Sequence, residues 1–261
     1  MSDFVYLYGY VPGDAPAPDQ LAGIAGRPVA LASSGALAAI ISRVPAEEYS
    51  PERLEPRLQD LSWVAEQGVA HERVVAWFVD HSQVLPAPLF TMYSSLDALR
   101  SATAGRADEL LAQMDRLHGL REWDLKVSFD ERALQESAAQ ISETLASLDR
   151  EIAAAPAGKK YLLQKKRSDV LATEVRQAAH RRAVDVLNAV SGMTVQTRNL
   201  PIPRLQDALP VVLHAALLVQ QQHEPQVTAE LETQARQLRT IGMDLAFSGP
   251  WAPYRFMAEH V

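Results

Sequence analysis

The stretch that most restricts this chain lies near its C-terminus, at residues 245–256, LAFSGPWAPYRF. Ile241, Met243, Leu245 and Phe247 alternate with Gly242, Asp244, Ala246 and Ser248, the period of two of a half-buried strand. Gly249-Pro250 is expected to end that strand, because proline brings no N–H to a sheet ladder. Trp251, Tyr254 and Phe256 follow, held extended by Pro250 and Pro253. Each such aromatic side chain buries about 150–250 Å², so a cluster this near a terminus has to dock on something. The expected role is a structural seal over the protein's own core, with a hook for a partner as the alternative.

The rest of the chain is organised around similar alternations. Phe4–Val11 reads as a central strand, with Phe4, Tyr6, Tyr8 and Tyr10 on one face and Val5, Leu7, Gly9 and Val11 on the other. A loop, PGDAPAP, precedes two short apolar runs, 28–32 and 37–44, joined by a turn at Ser33-Ser34-Gly35. A long helix is expected after Ser50, with Leu61, Val64, His71, Val75 and Phe78 on its apolar face and Gly68 admitting a close neighbour. Pro86 and Pro88 exclude a helix over 84–91. Leu96, Leu99, Thr103, Leu110, Met114 and Leu117 form a helical stripe, and Trp123, Leu125, Val127 and Phe129 form the clearest strand.

In the second half, Leu134, Ala138, Ile141, Leu145, Leu148 and Ile152 make a narrow helical stripe ended at Pro156. A long helix follows over about 160–190, stopped by Gly192. Strands at 193–200 and 211–219, separated by a Pro201/Pro203 linker, and a helix from Val227 to Ile241 lead into the final strand. The predicted fold class is α+β: two domains, 1–130 and 131–261, each a small antiparallel or mixed sheet packed with helices and joined by long helices. The order helix, strand, strand, helix, strand makes the second ferredoxin-like, lacking its first strand.

Charge is unevenly placed. Residues 1–130 carry 10 Lys+Arg and 18 Asp+Glu, giving −8; residues 131–261 carry 15 and 14, giving +1, for the net of −7. Within the second half, 159–182 holds 8 basic and 2 acidic residues. This pattern argues against general nucleic-acid binding and leaves room for one electrostatically chosen partner. The run Lys159, Lys160, Lys165, Lys166 and Arg167 opposes the macrodipole at the start of its own helix, so either the acidic surface of the first domain or a partner is expected to compensate. No apolar run reaches the 18 residues of a membrane span and no secretory signal is visible, which points to the cytoplasm. With no cysteine there are no disulfides, thiolate metal sites or cysteine nucleophile.

Catalytic signatures are sparse. His71-Glu72 opens an H-E-x-x-H pattern, but Val75 stands where the second ligand would be, so a satisfied structural histidine is expected. The seven histidines show no metal-ligand spacing, and phosphate-loop, dinucleotide and nucleophile-elbow patterns are absent. No catalytic residue, metal or cofactor is assigned. Two other readings stay open: a ferredoxin-like sensor or small-molecule enzyme with an inter-domain pocket holding His71 or Glu122, and an RNA-binding module using 159–182.

Five separated segments resemble, in order, the GvpF/GvpL family of gas vesicle proteins. They are YLYGYV (6–11), HERVVAWF with VLPAPLFTMYSS (71–78 and 84–95), LHGLREWDLKVSF (117–129), GKKYLLQKKR (158–167) and SGPWAPYRF (248–256). One departure stands out: the family pattern V-L-P-x-x-F-G-T has a glycine before its threonine, and Leu89-Phe90-Thr91 does not. The resemblance implies a cytoplasmic accessory protein of gas vesicle assembly, with a place among minor vesicle components left open. It would bind the hydrophobic major shell protein, and other vesicle accessory proteins, and help nucleate the shell. The partner surface is expected on the first domain, from exposed members of the Tyr6, Tyr8, Tyr10 face or from Leu89, Phe90 and Tyr93, since aromatics are enriched at binding hot spots.

Overall fold

A computed structural model of the chain describes residues 3–202 and 209–258; Pro203 of the expected linker and His260 lie outside them. The fold is α+β, with two antiparallel sheets packed with helices. The chain divides into two compact units, residues 1–122 with 250–261, and residues 123–249.

In the first unit, β1 (Phe4–Pro12) is the central strand, between β3 (Leu37–Val44) on one side and two short segments, β4 (Leu85–Pro86) and β5 (Met92–Tyr93), on the other. The hairpin β2 (Ala30–Ser34) and β3 (Leu37–Val44) turns at Gly35, whose φ of 66° suits glycine. Beyond it come α1 (Ala46–Tyr49), α2 (Pro51–Arg57) and α3 (Leu61–His81). The single long helix expected after Ser50 is therefore two pieces, α2 and α3. Pro51 can begin a helix but not continue one, and Asp60 starts α3 afresh by accepting from the Ser62 and Trp63 N–H groups.

On α3 the buried residues are Gln67, His71, Val74, Val75, Phe78 and Val79, while Leu61 is exposed. Gly68 has open space beside it, not the expected close neighbour. The strands β4 (Leu85–Pro86) and β5 (Met92–Tyr93) then pair with β1, and α4 (Leu96–Gly105) and α5 (Ala107–Arg116) complete the helices of this unit.

The register of β1 slips between Leu7 and Gly9, leaving Tyr8 as a bulge. A bulge inserts one residue and so reverses which side the following residues take. Tyr6, Tyr8 and Val11 accordingly share one core, whereas the Tyr10 hydroxyl accepts from Thr103 of α4 at 3.3 Å. The four tyrosine-face residues expected to point one way are split.

The second unit begins within β6 (Leu120–Phe129) and continues through α6 (Glu131–Glu136), α7 (Ala138–Ile141), α8 (Glu143–Ala154) and the 34-residue α9 (Ala157–Val190). Then follow β7 (Thr194–Asn199), β8 (Val211–Gln220), α10 (Glu224–Arg239) and β9 (Met243–Trp251). The sheet order is β7-β8-β6-β9. β6, a strand expected in the domain of residues 1–130, thus stands inside this sheet. Its Trp123, Leu125, Val127 and Phe129 pack with Val175, Ala179 and Val186 of α9 and Leu231 and Leu238 of α10. The stripe expected over 134–152 is broken into α6, α7 and α8, with Ser142 capping the last.

Gly249-Pro250 does not end β9, which runs on to Trp251. β9 is an edge strand, where a missing N–H can face away from the ladder. Of the five cations at the start of α9, Arg167 is paired inside this unit, its guanidinium donating to both carboxylate oxygens of Asp149 on α8. Among the described residues no helix is long and apolar enough to cross a membrane.

Candidate functional site

The side chains with chemistry that the fold brings together lie in the first unit, where β1, α3, the 87–91 loop and the C-terminal turn (Tyr254–Phe256) meet. Tyr6 and Tyr8 are fully buried and Tyr10 nearly so. A buried phenol needs a partner for its hydroxyl. Tyr8 donates to Ser42 Oγ at 2.9 Å and accepts from the Ile24 N–H at 2.8 Å; Tyr49 donates to Gln67 Oε1 at 2.9 Å. Burial raises the pKa of all four phenols, that of Tyr49 to about 12, so they remain protonated. The expectation that members of this tyrosine face are exposed does not hold, because β1 is covered on both faces.

His71 joins these tyrosines to the tail. Its Nδ1 lies 2.8 Å from the Tyr6 hydroxyl and its Nε2 3.2 Å from that of Tyr254. Directions follow from groups that have no choice. The Phe90 N–H can only donate, at 3.1 Å, to the Tyr6 oxygen, which sends the Tyr6 proton to Nδ1. Nε2 then carries the ring proton toward Tyr254, whose hydroxyl donates to Glu72 Oε2 at 3.1 Å. Desolvation lowers the His71 pKa to about 4, opposed by a backbone hydrogen bond to Ala87, so the ring is neutral at pH 7. Glu72 is shifted upward, chiefly by desolvation, against its bond to Tyr254. Among the described residues its other oxygen, Oε1, is buried with no hydrogen-bond partner.

The tail is held residue by residue. Arg255 donates through its backbone N–H, at 2.8 Å, and its guanidinium, at 2.6 Å, to the buried carboxylate of Glu122. Arg116 donates to the Phe256 carbonyl at 2.6 Å, and the Ala258 N–H donates to Gln113 Oε1 at 3.2 Å. Of the three tail aromatics, Phe256 is completely buried, while Trp251 and Tyr254 are half-buried. Arg116 and Arg255 carried no sequence signal. The Glu72 contact was hinted at only by the His-Glu pair on α3.

The remaining candidates lie in the loop. Leu89, Phe90 and Tyr93 are half-buried. Phe90 sits at φ 63°, a conformation that side chains other than glycine rarely take. It is the position where the family pattern places its glycine. The ring stacks on Trp63 with centroids 5.5 Å apart and planes within 3°, and Arg57 lies over the other aromatic partner, 4.9 Å from the Trp63 centroid. Elsewhere, His214 on β8 is tied to Asp124 at 3.2 Å and to the Pro201 carbonyl at 2.9 Å.

Fold and site together define a two-sheet α+β protein whose polar centre is consumed in joining its own strand, helix, loop and tail: both nitrogens of His71 and the phenols beside it are bonded within the chain. The chain belongs to the family of gas vesicle synthesis proteins GvpL/GvpF, whose model matches residues 4–258. Gas vesicle protein L of Streptomyces sp. (strain CB03234) is 28% identical, over 96% of this chain and 91% of that one. Gas vesicle protein L1 of Halobacterium salinarum is 26% identical over 72% of each. The crystal structure of the gas vesicle protein GvpF from Anabaena sp. PCC7120 shares the fold with a TM-score of 0.72 at 15% identity, covering all of both chains. That of GvpF from Microcystis aeruginosa gives 0.67 at 17% identity, over 98% and 99%.

Proposed function

We propose that this chain is a non-enzymatic accessory protein of gas vesicle assembly that works in the cytoplasm. It binds the hydrophobic major shell protein, keeps it from aggregating and helps to nucleate the vesicle, alongside other accessory proteins. The observation that carries the reading is Phe90. A bulky apolar residue is held half-exposed, at a φ of 63°, by a stack on Trp63 and a backbone bond to Tyr6. Backbone strain persists where surrounding structure enforces it, and such places cluster at binding sites. Leu89 precedes it in the loop and is half-buried, as is Tyr93. In this reading Tyr6 and Tyr8 support the loop from beneath, Tyr10 ties the strand to α4, and Trp251, Tyr254 and Phe256 seal the unit that carries it.

The test is capture of the shell protein by the full-length chain. A Leu89→Ser/Phe90→Gly variant relieves the strained φ, so it is expected to melt within a few degrees of the parent and to lose most of the capture. Undiminished capture by this folded variant would overturn the assignment of the surface. Absence of capture by the parent chain would overturn the function.

A further inference from the structure

Two exposed patches on this chain match each other in charge and in apolar character. One is the start of α9. No residue of this helix before Val175 is buried, and its first half is accompanied by α8. Tyr161 is 69% exposed and Leu162 64%. Lys165 stands one turn beyond Tyr161, and Lys166 one turn beyond Leu162, so the apolar pair and two cations share a face. Lys159 and Lys160 precede them, and among the described residues none of these four lysines forms an ion pair. Over 159–167 there are five basic residues and no acidic one. Solvated charge explains the lysines alone; it does not explain a tyrosine and a leucine held in water beside them.

The other patch surrounds the junction of α2 and α3. Leu61 is 80% exposed and Val69 62%, with Leu58 alongside at the junction. Residues 47–66 carry six acidic side chains, all exposed, and two basic ones, giving −4. Large exposed apolar residues rimmed by charge of one sign mark interaction surfaces. Opposite potentials on the two surfaces would steer and orient their encounter.

We propose that the α9 start of one copy docks on the α2–α3 junction of a second copy of this chain. Tyr161 and Leu162 would cover Leu58 and Leu61, with Lys165 and Lys166 facing Glu55 and Glu66. The two surfaces differ, so the contact is head-to-tail. It leaves one free patch at each end of every dimer and propagates into open chains unless the geometry closes a ring. This inference does not rest on shell-protein binding: Leu89, Phe90 and Tyr93 belong to neither patch.

Sedimentation velocity on the full chain over a concentration series tests it. The weight-average mass is expected to rise with concentration at low salt, and the apparent association constant to fall by about tenfold or more when added salt shortens the screening length. Lys165→Glu/Lys166→Glu and Glu55→Lys/Glu66→Lys variants are each expected to stay monomeric with unchanged melting. Mixed together, they present one native pair of patches and one charge-swapped pair, both complementary, so association should return. A parent chain that stays monomeric at all concentrations overturns the proposal. So does association that survives in either variant alone, or a mixture that fails to associate. Binding of the four lysines to phosphatidylserine vesicles without any self-association would assign that patch to a membrane surface instead, and would also overturn it.

Discussion

His71 on α3 and Tyr254 in the C-terminal turn stand 183 residues apart in the chain and 3.2 Å apart in the fold. Through Tyr6 on one side and Glu72 on the other, this contact fixes the strained loop and the tail to the same helix. A change at any member is therefore expected to register in both places.

The histidine makes stability depend on pH. Its folded pKa of about 4 lies below the ordinary 6.5, so the unfolded chain binds a proton that the folded one refuses. The stability is fully present above pH 6.5 and is lost as pH falls toward 4, by about 3 kcal/mol in all. Glu72, shifted upward, works in the opposite sense and softens the loss. Chemical unfolding from pH 7.5 to 4.5 should show the decline, and His71→Gln should flatten it. An equal slope in both proteins would assign the acid sensitivity to other groups.

Tyr6→Phe keeps the ring and removes one oxygen. It strands the Phe90 N–H and His71 Nδ1, each of which then meets a desolvation cost of about 1–3 kcal/mol. Hydrogen exchange should accelerate at Phe90 and Thr91 before the rest of the sheet responds. Unchanged exchange there would show that the hydroxyl does not hold the loop.

Among the tail aromatics the burden falls on Phe256. Its ring is fully buried, so Phe256→Ala is expected to cost about 3–5 kcal/mol, and Trp251→Ala, from a half-buried site, distinctly less. Denaturant midpoints measured side by side decide the order. A larger loss for Trp251 would mean that the half-exposed indole carries the seal.

Gly9 is a place where backbone meets backbone. A Cβ there would lie 2.4 Å from the Leu85 carbonyl oxygen and 3.0 Å from the Pro86 Cα, neither of which can rotate away. Gly9→Ala is expected to cost about 1–3 kcal/mol by overpacking and to loosen β4 from β1. Wild-type stability would show that β4 can shift at no cost.

The sequence alone determined the elements whose signal is local. Alternation identified β1 and β6, helical spacing identified α9 from Val175 to Val190, and prolines excluded a helix over 84–91. Five motifs in order carry the family resemblance. Periodicity works because a strand or helix buries a face, and that face is written in neighbouring residues. What it could not carry was anything set by one extra residue or by a distant partner. The bulge at Tyr8 reverses the side taken by Tyr10, although the alternation continues unbroken through it. Phe90 adopts a left-handed backbone because Trp63 and Tyr6 hold it from 27 and 84 residues away, not because its neighbours favour a turn. Residues 250–258 join the first unit through hydrogen bonds to Glu72, Glu122, Arg116 and Gln113, groups that are ordinary solvated polar residues until folding supplies the burial that makes pairing obligatory.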